Sequence, residues 1–130
     1  MVILDTSFLI DLLRGKEEVK KLWEDIERNE AKVAIATPSI MELWSGACRA
    51  KLPAKEKEKI KELVRGLEIM SFDTKSAMEA GEIEVELMQK GLLIETEDTL
   101  IAGVARSHGE RVVTSDGHYT RIQGLQVLKY

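Results

Sequence analysis

The sequence predicts an α/β fold, a three-layer α/β/α sandwich with a mainly parallel five-stranded sheet at its centre. Short apolar runs alternate along the chain with longer segments of helical periodicity. Helical segments between strands imply crossover connections, and such crossovers join parallel strands. The first apolar run, residues 1–4, has no polar position, as expected for a strand that is buried on both faces.

Capping residues and glycines set the predicted helix boundaries. Thr6 or Ser7 can cap the first helix, and Thr37 before Pro38 places a capping hydroxyl ahead of a proline at the first helical position. Glycines end most of the helices. The predicted elements are a strand at 1–4, helices at 6–14 and 17–28, a strand at 33–36, helices at 37–50 and 53–65, a strand at 67–72, helices at 75–90 and 95–108, and strands at 111–114 and 125–128.

Length and composition predict a single domain over residues 1–130. Hydrophobic residues make up 44% and charged residues 32%, which is too apolar for a disordered chain and too polar for a membrane protein. No run approaches the roughly 20 apolar residues of a spanning helix. The first residues lack a basic leader, so we expect a cytosolic protein.

Composition also excludes several kinds of chemistry. The single cysteine, Cys48, cannot form an internal disulfide, and together with the two histidines it forms no zinc-binding spacing. A net charge of −4 argues against a broad electrostatic surface for nucleic acid. A nucleic-acid substrate would therefore need a local basic patch or a bridging cation.

Two aspartates follow predicted strands. Asp5 comes directly after the first strand, and Asp116 follows the strand at 111–114. Ligands of parallel sheets bind beyond the carboxyl ends of the strands, so we expect these two acids to converge at one edge of the sheet. An aspartate after a single strand is more often a turn or capping residue. Only the matching positions of Asp5 and Asp116 favour a ligand-binding site.

Two further acids lie on predicted helices. Asp98 stands in the first turn of a helix with an apolar body, where capping alone would explain it. Ala102 and Ala105 leave a face of small side chains beside it, which would let this helix lie close to a strand. Glu42 falls on the polar side of its helix, opposite Trp44, so periodicity alone indicates a surface residue.

Four segments of the chain resemble the motifs of PIN domains, and among these the VapC toxin ribonucleases of bacterial and archaeal toxin–antitoxin pairs. The segments are VILDTSFLIDLL, TPSIMELWSGA, EDTLIAGVARSHG and RVVTSDGHY, in the family's order. The resemblance implies a parallel α/β sandwich with four catalytic, metal-binding acids. These are Asp5, Glu42, Asp98 and Asp116. The last motif departs from the family by carrying Tyr119 where Phe is usual.

The resemblance implies that the protein cleaves single-stranded or structured RNA with Mg²⁺ or Mn²⁺. It also implies that a cognate antitoxin binds the protein and that the protein forms a homodimer. The family's hydroxyl after the last motif strand is represented by Thr114 and Ser115, either of which can line the site. An acid cluster of this kind suits Mg²⁺ or Mn²⁺ better than zinc, and either one or two ions are compatible with it. We expect mutual repulsion to raise the pKa of at least one of the acids.

Other polar residues are assigned lesser roles. His118 lies near Asp116, but in a turn that contains glycine we expect it to be exposed, and His108 suits the end of its helix. Four arginines are candidates for outer phosphate contacts, although a solvated role is more usual for each. They are Arg14, Arg49, Arg106 and Arg121.

Large apolar side chains on the early helices either pack in the core or line a groove for a partner helix. They are Leu12, Leu13, Trp23, Met41 and Trp44.

Three alternative functions fit the sequence less well. A phosphoacceptor receiver domain could use Asp73 as its acceptor, but it needs a second acid next to Asp5, where Thr6 and Ser7 stand. A haloacid-dehalogenase-type phosphatase needs an aspartate at position 7. A PIN domain that only binds protein or RNA would not need all four acids.

Overall fold

All the predicted strands and helices are present in the computed structural model, which describes residues 1–30 and 32–130. The elements are β1 (Val2–Leu4), α1 (Thr6–Leu13), α2 (Glu17–Asn29), β2 (Val33–Ala36), α3 (Thr37–Cys48), α4 (Pro53–Arg65), β3 (Glu68–Met70), α5 (Thr74–Gln89), α6 (Thr96–His108), β4 (Arg111–Thr114), a 3-10 helix (Gly117–Arg121) and β5 (Val127–Lys129). None of the described helices has the length and apolarity needed to cross a membrane.

The five strands form one parallel sheet in the order β3-β2-β1-β4-β5. Ile3 of β1 lies opposite Ala34 of β2 on one side and Val112 of β4 on the other. The chain winds outward from β1 to β3 and then returns to β4 on the other side of β1. The winding direction thus reverses between β1 and β4, where the carboxyl ends of the strands leave a crevice.

Helices cover both faces of the sheet, which confirms the predicted three-layer fold. On one face α5, α6 and the 3-10 helix pack against Ile3, Ala34 and Val112. On the other face α1 to α4 pack against Val2 and Leu4. The adjacent residues of β1 thus enter different cores, and all of them are buried because the strand lies at the centre of the sheet.

Helices α5 and α6 approach each other very closely at Gly103. A Cβ atom at this position would lie 2.7 Å from the carbonyl oxygen of Ser76 and 2.8 Å from Cβ of Ala80. Nearby, the Arg106 guanidinium donates to the carboxylates of Glu79 at 2.5 Å and Glu86 at 3.0 Å. The prediction of an outer phosphate contact is therefore wrong for Arg106, because these helix contacts occupy it.

Two helices have capping residues other than those predicted. The α1 helix is capped by Asp5, whose Oδ1 accepts a hydrogen bond from the backbone N–H of Phe8 at 2.8 Å, and not by Thr6 or Ser7. Thr37 lies inside α3, and its hydroxyl accepts from the backbone N–H of Phe72 at 2.9 Å. The α1 cap is still a local one, moved by one residue, whereas the Thr37 hydroxyl is used in a tertiary contact.

Two strands have different boundaries from those predicted. β3 pairs only from Glu68 to Met70, since its partner β2 ends at Ala36, where α3 begins. β5 begins later than predicted, at Val127, and pairs with β4 as far as Lys129. Apolar runs locate these strands, but the length of the neighbouring strand decides how many residues can pair.

Candidate active site

Asp5 and Asp116 meet at the crevice between β1 and β4, as their positions after two strands predicted. Asp5 is only 2% exposed, and its Oδ2 accepts a hydrogen bond from the hydroxyl of Thr114 at the end of β4. The oxygen of that hydroxyl also accepts from the backbone N–H of Asp116 at 2.9 Å. Thr114 thus connects the two acid-bearing loops. Of the two candidate hydroxyls it is the one that faces inward, whereas Ser115 is exposed.

Asp98 of α6 lies beside Asp116. One carboxylate oxygen from each of them and one ring nitrogen of His118 all lie within 4.8 Å of one another. Tyr119 is fully buried and donates its hydroxyl hydrogen to Oδ1 of Asp98 at 3.2 Å. The hydroxyl that phenylalanine lacks at this position thus holds one of the acids.

Glu42 stands apart from the three aspartates, on α3. Its Oε1 accepts a hydrogen bond from the hydroxyl of Thr6 at 3.0 Å, and that hydroxyl also lies 3.0 Å from Oγ of Ser39. The side chain is half-buried, so the surface position indicated by periodicity is wrong. Helix α1 begins directly after β1 and covers this part of α3, which no helical wheel can show.

Burial is the main electrostatic feature of the site. It raises the pKa of Asp5 from 3.8 to about 6; the charges of Asp98 and Asp116 add to the increase, and hydrogen bonds from Thr114 and Phe8 oppose it. Burial is likewise the largest cause of the raised pKa of Asp98, followed among the raising causes by Asp116. Repulsion between the acids raises both pKa values, as expected, but the loss of water around each carboxylate has the larger effect.

The pKa of Glu42 is also raised, first by burial and then by the charges of Glu97 and Asp98. Burial and the surrounding acids raise the pKa of Tyr119, so its hydroxyl remains a proton donor to Asp98. A cation bound in this crevice would stabilise the charged form of the carboxylates. Their oxygen ligands fit a hard divalent ion such as Mg²⁺ or Mn²⁺.

A cavity of about 490 Å³ opens beside Glu42, between α1, α3 and α4. Arg14, Lys59 and Glu56 stand on its wall, and Lys59 donates a hydrogen bond to the Glu56 carboxylate at 3.3 Å. Arg49 is exposed and donates to the backbone of its own helix at Ser45. Arg121 is exposed as well. Among the four candidate arginines, Arg14 is the one on the cavity wall.

Most of the large apolar side chains of the early helices pack against the core on the α1 to α4 face. This holds for Leu12, Leu13, Trp23 and Trp44. Met41 differs, since 62% of it is exposed. The core alternative is therefore the right one for four of these five side chains.

Comparisons with known proteins agree with this geometry. Residues 2–125 match the PIN domain. A tRNA(fMet)-specific endonuclease VapC from Salmonella typhimurium is 31% identical over 126 residues, which covers 96% of this chain and 94% of the relative. The chain belongs to the VapC ribonucleases of the PIN-domain family. Ribonuclease VapC2 of Haemophilus influenzae is 28% identical over 88% of this chain and 85% of its own length.

Solved VapC structures have the same fold as this PIN domain. The VapBC2 structure from Rickettsia felis, bound to a DNA fragment from its promoter, aligns with a TM-score of 0.91 and 27% identity over 100% of this chain and 99% of the other. DNA-bound VapBC from Salmonella typhimurium aligns with a TM-score of 0.91 and 30% identity over 98% and 96%. The resemblance seen in the four sequence motifs is thereby confirmed.

Three polar residues of this PIN domain were missed or underrated from the sequence. The side chain of His118 is 44% exposed, in line with its predicted turn position, but its Nδ1 atom also lies 3.1 Å from Oδ1 of Asp116. Tyr119 and Thr6 each hold one acid through a hydroxyl. The close spacing of Asp116 and His118 was a usable signal, because an aspartate side chain often accepts a hydrogen bond from the backbone two residues on.

Proposed function

We propose that this ribonuclease hydrolyses phosphodiester bonds of RNA with Mg²⁺ or Mn²⁺ held by Asp5, Glu42, Asp98 and Asp116. One observation carries the proposal: three aspartates from distant parts of the chain converge in the crevice between β1 and β4, where burial raises the pKa of two of them. Separate capping residues would not need to share a crevice. A shared divalent ion explains why the fold tolerates their clustering.

The residues around the acids hold them in position. Asp98 and Asp116 are the nearest ligands for an ion, and Tyr119 keeps the Asp98 carboxylate in one orientation. Thr114 and the first turn of α1 hold both oxygens of Asp5. A bound ion supplies an activated water nucleophile and positive charge for the phosphate.

The cavity beside Glu42 is where RNA would approach the acids. Arg14 on its wall attracts the phosphate backbone, which locally opposes the net charge of −4 of the whole chain. Thr6 keeps Glu42 directed along this wall. RNA phosphates can thus lie between Arg14 and the ion.

The direct test is cleavage of a labelled single-stranded RNA with Mn²⁺ and with EDTA. We expect cleavage by the wild type with Mn²⁺, none with EDTA, and none by Asp98→Asn. Glu84→Gln removes an exposed acid from α5 and serves as the control with full activity. Binding of RNA without divalent-dependent cleavage would show a binding module and overturn the proposal.

We infer that the partner is an antitoxin that covers the acid crevice. The support is that the solved relatives from Rickettsia felis and Salmonella typhimurium are described as VapBC complexes. The test is to co-express the chain with the product of an adjacent reading frame. Co-purification with loss of RNA cleavage supports the inference, and full activity in the mixture contradicts it.

We also infer a homodimer, as the VapC resemblance implies. Its support in this chain is a stripe of exposed apolar side chains along α5, where Met78 is 67% exposed, Val85 48% and Met88 54%. Met78→Glu should reduce the mass measured by light scattering to that of a monomer. Met41→Glu, at a similarly exposed position on the other layer, should leave the dimer intact.

A further inference from the structure

The backbone after β4 brings His118 over the carboxylate of Asp116. Asp116 caps the 3-10 helix, and its Oδ1 accepts a hydrogen bond from the backbone N–H of His118 at 2.8 Å. This turn also brings the imidazole back toward the same carboxylate, with Nδ1 3.1 Å from Oδ1. The ring position is thus set by the same cap that orients the acid.

The Nδ1 atom has an unusual environment. The side chain as a whole is 44% exposed, but Nδ1 itself is shielded from solvent. Within the described part of the chain, no donor or acceptor is aligned for a hydrogen bond with this atom. A buried polar atom without a partner costs free energy, so a partner that completes this site is expected.

The spacing of the three side chains fits shared coordination. Adjacent ligands of an octahedral ion with bonds of about 2.1 Å lie about 3 Å apart. The Nδ1 atom and the Asp116 oxygen have this separation at 3.1 Å, and the three ligand atoms from Asp98, Asp116 and His118 lie within 4.8 Å of one another. A single ion can therefore contact all three.

We propose that His118 is a direct ligand of the divalent ion, so that the site has one imidazole nitrogen beside the oxygens of Asp98 and Asp116. This rests on the proposed function, because it assigns a further ligand to the same metal site. A nitrogen ligand favours transition metals over Mg²⁺, whose preferred ligands are oxygens. The site is accordingly selective for Mn²⁺ over Mg²⁺.

The test uses the Mn²⁺-loaded wild-type protein and pulsed electron paramagnetic resonance, which detects ¹⁴N bound to Mn²⁺. The chain has two histidines, so a nitrogen signal can be assigned by substitution. The signal should be present in the wild type and in His108→Gln, an exposed control, and absent in His118→Gln. Titration should show Mn²⁺ affinity falling about tenfold or more in His118→Gln, with a smaller fall for Mg²⁺.

The outcomes separate the role of His118 from the existence of the metal site. Bound Mn²⁺ without a ¹⁴N signal in the wild type would overturn the role of His118 and leave the proposed metal site intact. Loss of the ¹⁴N signal in His108→Gln would also overturn the role of His118. Failure of the wild type to bind Mn²⁺ would overturn both the ligand assignment and the proposed function. The wild-type spectrum remains decisive even if His118→Gln folds poorly.

Discussion

The two helical layers hold their acids in different ways. On the α5 and α6 side the helices are in close contact at Gly103 and are joined by the ion pairs of Arg106, and Asp98 lies on this closely packed layer. On the α1 to α4 side a cavity of about 490 Å³ separates the helices beside Glu42. Close packing fixes a ligand, and open packing leaves room for a substrate. The site thus combines a rigid half and an accessible half.

The largest expected difference between the two halves is in catalysis. Asp116→Asn should reduce the cleavage rate about a thousandfold, because it removes a charge next to Asp98 at the proposed ion. Glu42→Gln should reduce the cleavage rate only about tenfold, since Glu42 lies beside the cavity and apart from the three aspartates. Single-turnover cleavage of labelled RNA at saturating Mn²⁺ measures both. Equal losses of cleavage rate in the two variants would contradict the division of the site into a rigid half and an accessible half.

A large effect is also expected on the pH dependence of stability in EDTA. Burial raises the pKa of Asp5 from 3.8 to about 6, so the folded state holds this proton more tightly than the unfolded chain does. The stabilisation is complete below the unfolded pKa and is lost as the pH rises through about 6. A shift of this size corresponds to about 3 kcal/mol.

Thermal unfolding of wild type and Asp5→Asn between pH 4 and 7.5 checks this expectation. The free energy of unfolding of the wild type should fall relative to the variant as the pH rises, and Mn²⁺ should restore it near pH 7.5 by binding the folded state. Asn keeps an oxygen that can accept from Phe8, so the helix cap is retained. A difference that stays constant over this pH range would show that Asp5 does not titrate in the raised range.

The closely packed layer should be sensitive to one added methyl group. Gly103→Ala should lower the free energy of unfolding by about 1–3 kcal/mol, because the new Cβ atom meets backbone on α5 that cannot move aside cheaply. Gly46→Ala on the open layer meets no atom within 4 Å and should stabilise the protein by about 0.5–1 kcal/mol. Urea unfolding measures both. If the two variants are equally stable, the layers do not differ in packing.

The smallest expected effect is the loss of one hydroxyl at the open side. Thr6→Val keeps the shape of the side chain but removes the hydrogen bond to Glu42, so cleavage should fall a few-fold. Ser7→Ala, at the neighbouring exposed position, should have no effect. In the background of Glu42→Gln, Thr6→Val should add nothing further. Independent losses in the double variant would show that Thr6 does not act through Glu42.

The sequence by itself determined the order and type of the elements and the placement of two acids after strands. Apolar runs and helical periodicity are local properties, and they located β1, β4 and each helix to within a few residues. Asp5 and Asp116 could be placed at one edge because neighbouring parallel strands end together. Glu42 was recognisable only through its motif, since its own helix indicated a surface position.

The tertiary structure decided which side chains hold the four acids by hydrogen bonds and which candidate arginines are engaged in ion pairs. Thr6 contacts Glu42 across 36 positions, Tyr119 contacts Asp98 across 21, and Thr114 contacts Asp5 across 109. Arg106 was likewise removed from the phosphate candidates by acids of another helix. Such contacts depend on how whole helices and strands are stacked, and on which side chains that stacking buries. No periodicity along the chain records them, because each pairs residues from elements that become neighbours only when the sheet is covered.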